Sequence, residues 1–335
     1  MRYIRKMNIK EGMMLASTIY NDQGQSLLNP NVTLSGTAVR RLKGMQIKGI
    51  YIYDHLSEQV QINEIIKRGT VHKVVSSLAE SNYDDSLLAA NYIVENLMDN
   101  TELLPDMASL CSYDNYTFTH SLNVAVNAAL IAIEMKLCER RIKEVAAAGL
   151  LHDIGKIIIP QNLLNKKGAL TPDEWALMKK HPRIGYEMLS GKNNIPSVVK
   201  NAVLFHHENH DGSGYPDGRK GESIHLYARI LHVADVWDAL ITKRSYKDAC
   251  CPTEAIAYIW EMSGRMFHPA CVDAFRRAIY PYAPGVSVHL SDGTKGIVVK
   301  NQKNYPDRPD VIIEKTNRYI SLKNHPEISI TALLT

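Results

Sequence analysis

Cysteine is scarce in this sequence of 335 residues and is not arranged in pairs. The five present are Cys111, Cys138, Cys250, Cys251 and Cys271, an odd number without a CxxC spacing. That pattern argues against a disulfide framework and against a thiolate zinc site. They are read as reduced, mostly buried small apolar residues. A strong charge of one sign is also missing. With 39 basic and 35 acidic residues, the formal net charge is +4 with histidines neutral, too small an excess to suggest nucleic-acid wrapping. The 17 tyrosines are scattered, as half-buried packing residues with a wet hydroxyl would be. No apolar run approaches the roughly 20 residues of a spanning helix. The opening MRYIRKMNIKEGMML lacks the apolar stretch and small-residue cleavage site of a signal peptide. A soluble, cytoplasmic protein is therefore expected, with no membrane span and no nucleic-acid partner. Internal repeats and low-complexity tracts are absent too. At 45% hydrophobic and 22% charged residues, composition is that of an ordinary globular chain.

Four stretches differ in texture. Residues 1–55 read as a small α+β module. Met13 to Tyr20 and Gln25 to Leu28 form strand-like runs around the turn Asn21-Asp22-Gln23-Gly24. Ser35 to Met45 is a short helix with Val39 and Leu42 on one side, and Ile47 to Tyr53 is a further strand. Residues 56–105 turn helical, with Ile62, Ile65, Ile66, Val74, Val75 and Leu78 at three- and four-residue spacing. Such a connector either pairs with a second copy in a homodimer or packs on its own chain; the pattern weighs the two equally. Residues 106–283 are strongly helical and hold nearly all the clustered histidines. Residues 284–335 alternate apolar and polar residues around Ser291-Asp292-Gly293, the texture of a small β-barrel-like domain.

The helical region carries the chemistry. His120 lies in the apolar run THSLNVAVNAALIAI, and AAAGLLHDIGK puts His152 and Asp153 at a helix end. Neighbours on a helix point about 100° apart, so such a pair converges on one point only near an end, where Gly155 allows a turn. His181 follows a helix in WALMKKHPRIG, and His206 and His207 precede the loop of LFHHENHDGSGYP. Asp235 sits among Ile230, Leu231, Val233, Ala234, Val236, Trp237 and Leu240. A carboxylate in such company must be ion-paired, hydrogen-bonded or metal-bound, and Arg229 is the ion-pair candidate. Singly, each residue has an ordinary explanation. Together, five histidines and two aspartates form an N/O ligand set suited to a transition metal. Seven ligands exceed one four-coordinate ion and suit two adjacent ions sharing a carboxylate and a solvent bridge.

HDIGK, HHENHDGSGYP and ARILHVADVWDAL resemble the HD-GYP subgroup of the HD superfamily of metal-dependent phosphohydrolases. The resemblance covers roughly Asp114 to Tyr280, about half the chain, in family order. It implies a mainly α fold: an all-helical HD-type domain with the α+β module before it and the β domain after it. It also implies phosphodiesterase activity on cyclic di-GMP by a metal-bridging hydroxide, giving pGpG and, in a second round, GMP. Carried over by motif, His120, His152 and Asp235 would hold one ion. His181, His206 and His207 would hold the other, and Asp153 would bridge them. His152, Asp153 and Lys156 would be catalytic. Lys156, Arg244 and Lys247 would meet the substrate phosphates, and Gly214, Tyr215 and Pro216 would form the loop beside the guanine-binding surface. A signalling-protein partner would dock at that loop. Some members carry a glutamate one turn before the His120 position that helps hold a third metal. Tyr116 stands there instead, so two divalent ions, iron or manganese, are expected. Trp237 replaces the family's usual phenylalanine, a packing change.

The donor set suits an anionic substrate. Two divalent cations against two carboxylates leave charge for one hydroxide and one phosphodiester, and neutral histidines preserve it. Lys156 and Arg244 add attraction, the guanidinium through paired hydrogen bonds. Asp211 or a metal-bound water is a candidate donor to the leaving oxygen, and Asp211 and Glu208 are equally candidates for orienting His206 or His207. Two other readings differ in class: a non-catalytic cyclic dinucleotide receptor, which would normally have lost ligands, and an HD-type phosphohydrolase acting on another nucleotide.

Overall fold

The computed structural model describes residues 1–20, 25–45, 47, 49–55, 58, 60, 83–99, 116–166, 168–242 and 250–334. Two compact units emerge. One comprises the described residues of Met1–Lys73, Asn100–Thr119 and Tyr280–Thr335; the other comprises those of Val74–Asp99 and His120–Ile279.

In the first unit, β1 (Arg2–Arg5), β2 (Met14–Leu15) and β5 (Gly49–Tyr53) form an antiparallel sheet in the order β1-β5-β2. β3 (Ile19–Tyr20) and β4 (Ser26–Leu28) make a separate hairpin. Helix α1 (Gly36–Gly44) starts where Ser35 accepts a hydrogen bond from the Ala38 amide, an N-cap. It buries Val39 and Leu42 with Leu15, Ile19, Ile50 and Ile52. Strands and a helix thus alternate over residues 2–53. The turn at 21–24 lies outside the described residues.

The same unit contains the C-terminal strands β6 (Ser287–Leu290), β7 (Lys295–Gln302), β8 (Tyr305–Ile313), β9 (Arg318–Ser321) and β10 (Ile330–Leu333). They form one antiparallel sheet in the order β10-β6-β7-β8-β9. The turn between β6 and β7 is the expected one: Asp292 Oδ1 accepts from the Thr294 amide at 2.9 Å, and Gly293 has φ +82°. The expected barrel is corrected. β10 and β9 are opposite edges and do not pair, so the sheet is open. Only β7 and β8 are long; four-residue edge strands leave too little backbone to close the circle. The two chain ends meet within this unit. The Tyr3 amide donates to Gly285 O at 2.9 Å, and Arg2 bonds Ser287 and pairs with Glu314 and Asp54.

The second unit is helical: α2 (Tyr83–Asp99), α3 (Tyr116–Glu134, from His120), α4 (Glu139–Leu151), α5 (Gln161–Leu164), α6 (Pro172–Met178), α7 (His181–Ser190), α8 (Ser197–Phe205), α9 (Leu226–Ile241), α10 (Pro252–Glu261) and α11 (Pro269–Ala278). A 3-10 turn at Ile154–Ile158 follows α4. Helix α2, the described part of the expected connector, packs on α4. Residues 61–82 and 100–105 lie outside the description. No described helix is long and apolar enough to cross a membrane. Two glycines let the layers close. A Cβ on Gly149 would stand 2.6 Å from Ala125 Cα, so α4 crosses α3 at near-backbone contact. The second, Gly155, belongs to the site.

Candidate metal centre

Helix α4 ends at Leu151, and His152 follows as its C-cap with Asp153 leading into the 3-10 turn. This is the helix-end geometry an adjacent His-Asp pair needs. The role expected of Gly155 is corrected: its φ is not positive, and what it supplies is space. A Cβ there would lie 2.0 Å from His181 O and 2.7 Å from Gly185 N. The 3-10 turn thereby rests directly on the start of α7, which carries His181. His206 is the C-cap of α8, and His207 comes next. Asp235 projects from the middle of α9, 7% exposed.

Three of the histidines share one local arrangement. The Nδ1 atoms of His152, His181 and His206 lie 2.8, 2.8 and 2.7 Å from the carbonyls of Gly149, Met178 and Val203, each three residues back. A carbonyl only accepts, so each Nδ1 carries a proton, and each ring turns its Nε2 inward. His181 Nε2 and His206 Nε2 face each other at 3.4 Å. Two lone pairs so placed repel unless a proton or cation lies between them. Burial first, then the neighbouring His152 and His181, hold His206 well below the usual imidazole range. Burial and His206 do the same to His207.

The carboxylates complete the centre. Asp153 Oδ1 is 3.3 Å from His181 Nε2 and 3.9 Å from His206 Nε2. Its Oδ2 is 3.3 Å from His152 Nε2 and 3.7 Å from His120 Nε2. Asp235 Oδ1 lies 3.1 Å from His120 Nε2, and its Oδ2 lies 3.9 Å from His207 Nδ1. Burial opposes ionisation of Asp153, but His152 and Lys156 outweigh it and hold the carboxyl well below its ordinary range. Against the same burial, the hydrogen bond and charge of His120 hold the Asp235 carboxyl well below its ordinary range. Donor atoms within metal-binding reach fall into overlapping sets: Asp153 with His181, His206 and His207; His120 with His152 and Asp153; and His152 with His206 and Asp235. All seven expected ligands thus meet in one cluster. His152 Nε2 and Asp153 Oδ1 are buried without a hydrogen bond, as donors to a cation would be. The residues fit a transition-metal centre.

Several residues around the centre were not legible in the sequence. Asp238, one turn beyond Asp235 and fully buried, takes His120 Nδ1 at 2.6 Å and Asn123 Nδ2 at 2.8 Å. Burial works against charge on His120, yet Asp235 and Asp238 push its pKa up to about 9. A second carboxylate three residues along an apolar helix was the available signal. His232 Nε2 bonds Asn209 Oδ1 at 3.0 Å and ties the loop after His207 to α9.

The ion-pair candidate for Asp235 is set aside, since Arg229 bonds Glu222 and Ile224 O instead. Glu208 serves the loop: its oxygens accept the amides of Asp217 and Arg219 at 2.8 and 3.0 Å. Asp211 Oδ1 closes a turn on Ser213. Trp237 is buried edge-on to Phe275 at 5.3 Å, a packing role.

Lys156 Nζ bonds Asp153 Oδ2 and is partly exposed at the mouth. Tyr215 stacks on His207, ring centroids 4.7 Å apart and 28° between planes. Gly214 admits this, because a Cβ there would meet Asn209 N at 2.2 Å and His207 O at 2.5 Å. Pro216 follows through a cis peptide bond. Arg244 and Lys247 lie outside the described residues.

A family model described as HD domain matches residues 96–271, more than half of the chain. The chain belongs to the HD-domain family. Over 151 residues this HD-domain chain is 51% identical to the cyclic di-GMP phosphodiesterase response regulator RpfG of Xanthomonas campestris pv. campestris; the match covers 45% of the chain and 40% of that relative. A cyclic di-GMP phosphodiesterase of Thermotoga maritima is 40% identical over 176 residues, 52% of this chain and 48% of its own length. The 3'3'-cGAMP-specific phosphodiesterase 2 of Vibrio cholerae is 39% identical over 47% of this chain and 30% of its own. The chain therefore spans less than half the length of these relatives. Among solved structures, Bd1817, a HDG"Y"P protein from Bdellovibrio bacteriovorus, is similar in fold, with a TM-score of 0.54 at 20% identity over 82% of this chain and 97% of that one.

Proposed function

We propose that the HD domain is a metal-dependent phosphodiesterase that opens cyclic di-GMP to pGpG, with GMP as a second-round product. The observation that carries this is the convergence of imidazole nitrogens on two buried, charged carboxylates, with His181 and His206 Nε2 only 3.4 Å apart. That centre gains stability from cations and suits an anionic ester. The relatives' names support the choice of substrate.

In this reading His120, His152 and Asp235 would hold one ion, His181, His206 and His207 would hold a second, and Asp153 would contribute to both. Two divalent ions, iron or manganese, would supply a deprotonated water near neutral pH and offset the phosphate's charge. The protein does the rest. Asp238 holds His120 by its outer nitrogen and raises its basicity as a ligand. Lys156, at the mouth, meets a nonbridging phosphate oxygen, and Arg244 and Lys247 grip the remaining phosphate oxygens. The Gly214-Tyr215-Pro216 loop holds the base side of the substrate beside His207 and offers a surface to a signalling partner. Exposed Leu88 and Met98 on α2 support a homodimer through the connector. A nucleotide second messenger as substrate is in keeping with a cytoplasmic protein.

The test is turnover of cyclic di-GMP, 3'3'-cGAMP and cyclic mononucleotides by protein loaded with manganese, or anaerobically with iron, products being separated by chromatography. pGpG is expected with cyclic di-GMP and lost with chelator or Asp153→Ala. Tight binding without hydrolysis under both metals, or turnover confined to mononucleotides, refutes the proposal.

A further inference from the structure

Trp175 is an odd residue to leave in water. It sits on α6, whose capping box of Thr171 and Glu174 fixes the helix start without help from packing. None of the seven residues of α6 is buried, and Trp175 itself is 46% exposed. An indole in that position forgoes much of the burial it would gain in a core. Its neighbour is informative. The Trp175 and Tyr215 rings are 6.2 Å apart and near-perpendicular, and Tyr215 is the ring stacked on His207. An unbroken aromatic path therefore leads from a metal-centre imidazole to a half-exposed indole. Beside Trp175 lies a hollow of about 360 Å³, walled by Leu163, Leu164, Leu170 and Met178. On its rim Lys166 pairs with Glu174 at 2.5 Å. Apolar walls with a few placed polar groups are the usual make-up of a small-molecule pocket.

We propose that Trp175 is a stacking platform for one purine base of the substrate, with the adjoining hollow receiving the edge of that base. The inference rests on the cyclic dinucleotide reading above and deepens it. A cyclic dinucleotide carries two bases on opposite sides of its phosphate ring. When one phosphate is at the metals, at least one base must extend toward the rim, and indole is the side chain best suited to stack with it. Base–aromatic stacking tolerates small angular error, so a half-exposed ring on a short, well-capped helix serves. Lys166 offers a donor, and Glu174 an acceptor, to the base's edge.

The test compares wild type, Trp175→Ala and Trp175→Phe as manganese-loaded full chains. Two substrates are used: cyclic di-GMP, and bis(p-nitrophenyl) phosphate, which has an ester bond and no base. The readout is the ratio of kcat/KM for the two. A lost stack is worth roughly tenfold in that ratio. Trp175→Ala should lower it by about that factor through KM, and Trp175→Phe should restore most of it. Stopped-flow fluorescence gives a second readout. Trp237 is buried, and Trp260 on α10, the other exposed indole, lies under the Arg276 guanidinium. On a Trp260→Phe background, mixing with cyclic di-GMP should therefore quench emission and lose most of that quench when Trp175→Phe is added. A ratio within twofold of wild type in Trp175→Ala, or an undiminished quench in Trp175→Phe, overturns the platform alone. A wild type that cleaves bis(p-nitrophenyl) phosphate but no cyclic dinucleotide overturns the substrate reading and the platform with it.

Discussion

Replacing Gly155 by alanine should separate two halves of the metal centre without touching a ligand. The added Cβ would lie 2.0 Å from His181 O, whereas ordinary contact begins near 3.4 Å. Neither neighbour is a flexible side-chain end; both close atoms, His181 O and Gly185 N, are backbone. The 3-10 turn and the start of α7 must therefore part by about 1.4 Å. Asp153 rides on one of these segments and His181 on the other, and their 3.3 Å approach would be lost. Overpacking of this kind costs about 1–3 kcal/mol. At about 2–4 °C per kcal/mol for a domain of this size, a melting decrease near 6 °C is expected. Displacement of a reacting group by about 1 Å can cost on the order of 10²-fold in rate, so kcat/KM should fall by about that factor. Gly191→Ala is the control: φ is −77° and nothing lies within 4 Å of the added carbon. Differential scanning calorimetry and a manganese titration on both variants check this. A Gly155→Ala protein matching Gly191→Ala in melting temperature and manganese affinity would refute the close-packing argument.

Asp238→Asn removes the charge behind His120 and should weaken manganese binding about 10–100-fold, measured by competition with a chelating dye. Pro182→Ala restores an amide that competes for Met178 O with His181 Nδ1. Manganese affinity should drop roughly tenfold by the same measurement, and an unchanged affinity would count against the tautomer argument. Glu222 is held at about 2 by its bonds to Arg229 and His268, against an ordinary 4.5. Its folded-state pKa is depressed, so the contribution to stability is complete above about 4.5 and disappears as pH falls toward 2. Urea midpoints of wild type and Glu222→Gln should therefore differ at pH 6 and converge near pH 2. An equal gap at both would show that the pairing adds nothing.

What could be read from sequence followed range. Local signals carried well: the Ser35 cap, the Asp292-Gly293 turn, and the apolar run around Asp235 that made its burial certain. The clustering of the seven candidates was legible because helix-end pairs such as His152-Asp153 and His206-His207 have few other reasons to recur in one domain. Properties that depend on distant partners were not. Asp238 needed the knowledge that α3 brings His120 opposite it. Sheet closure depends on whether β9 reaches β10, which alternation along one strand does not encode. The meeting of Tyr3 with Gly285 joins residues nearly a chain length apart, and nothing in either segment announces it. Gly155 looked like a turn residue because glycine serves both turns and close contacts, and only the neighbouring helix separates the two.

The repeated histidine arrangement explains why His152, His181 and His206 sit at helix boundaries. The last carbonyls of a helix have no amide to accept from within it. Gly149 and Val203 occupy such positions in α4 and α8, and Met178 closes α6. At Met178 the vacancy is enforced, since residue 182 is a proline and has no N–H to give. In each case an imidazole three residues on supplies the missing donor from Nδ1. One hydrogen bond thus caps the helix, fixes the tautomer and sets the ring's direction. A histidine in mid-helix would find that carbonyl already taken. Wherever two such rings are neutral their inward lone pairs repel one another, and the buried carboxylates, being negative themselves, cannot relieve that. Cations relieve both at once, so the folded chain and the bound metal stabilise each other.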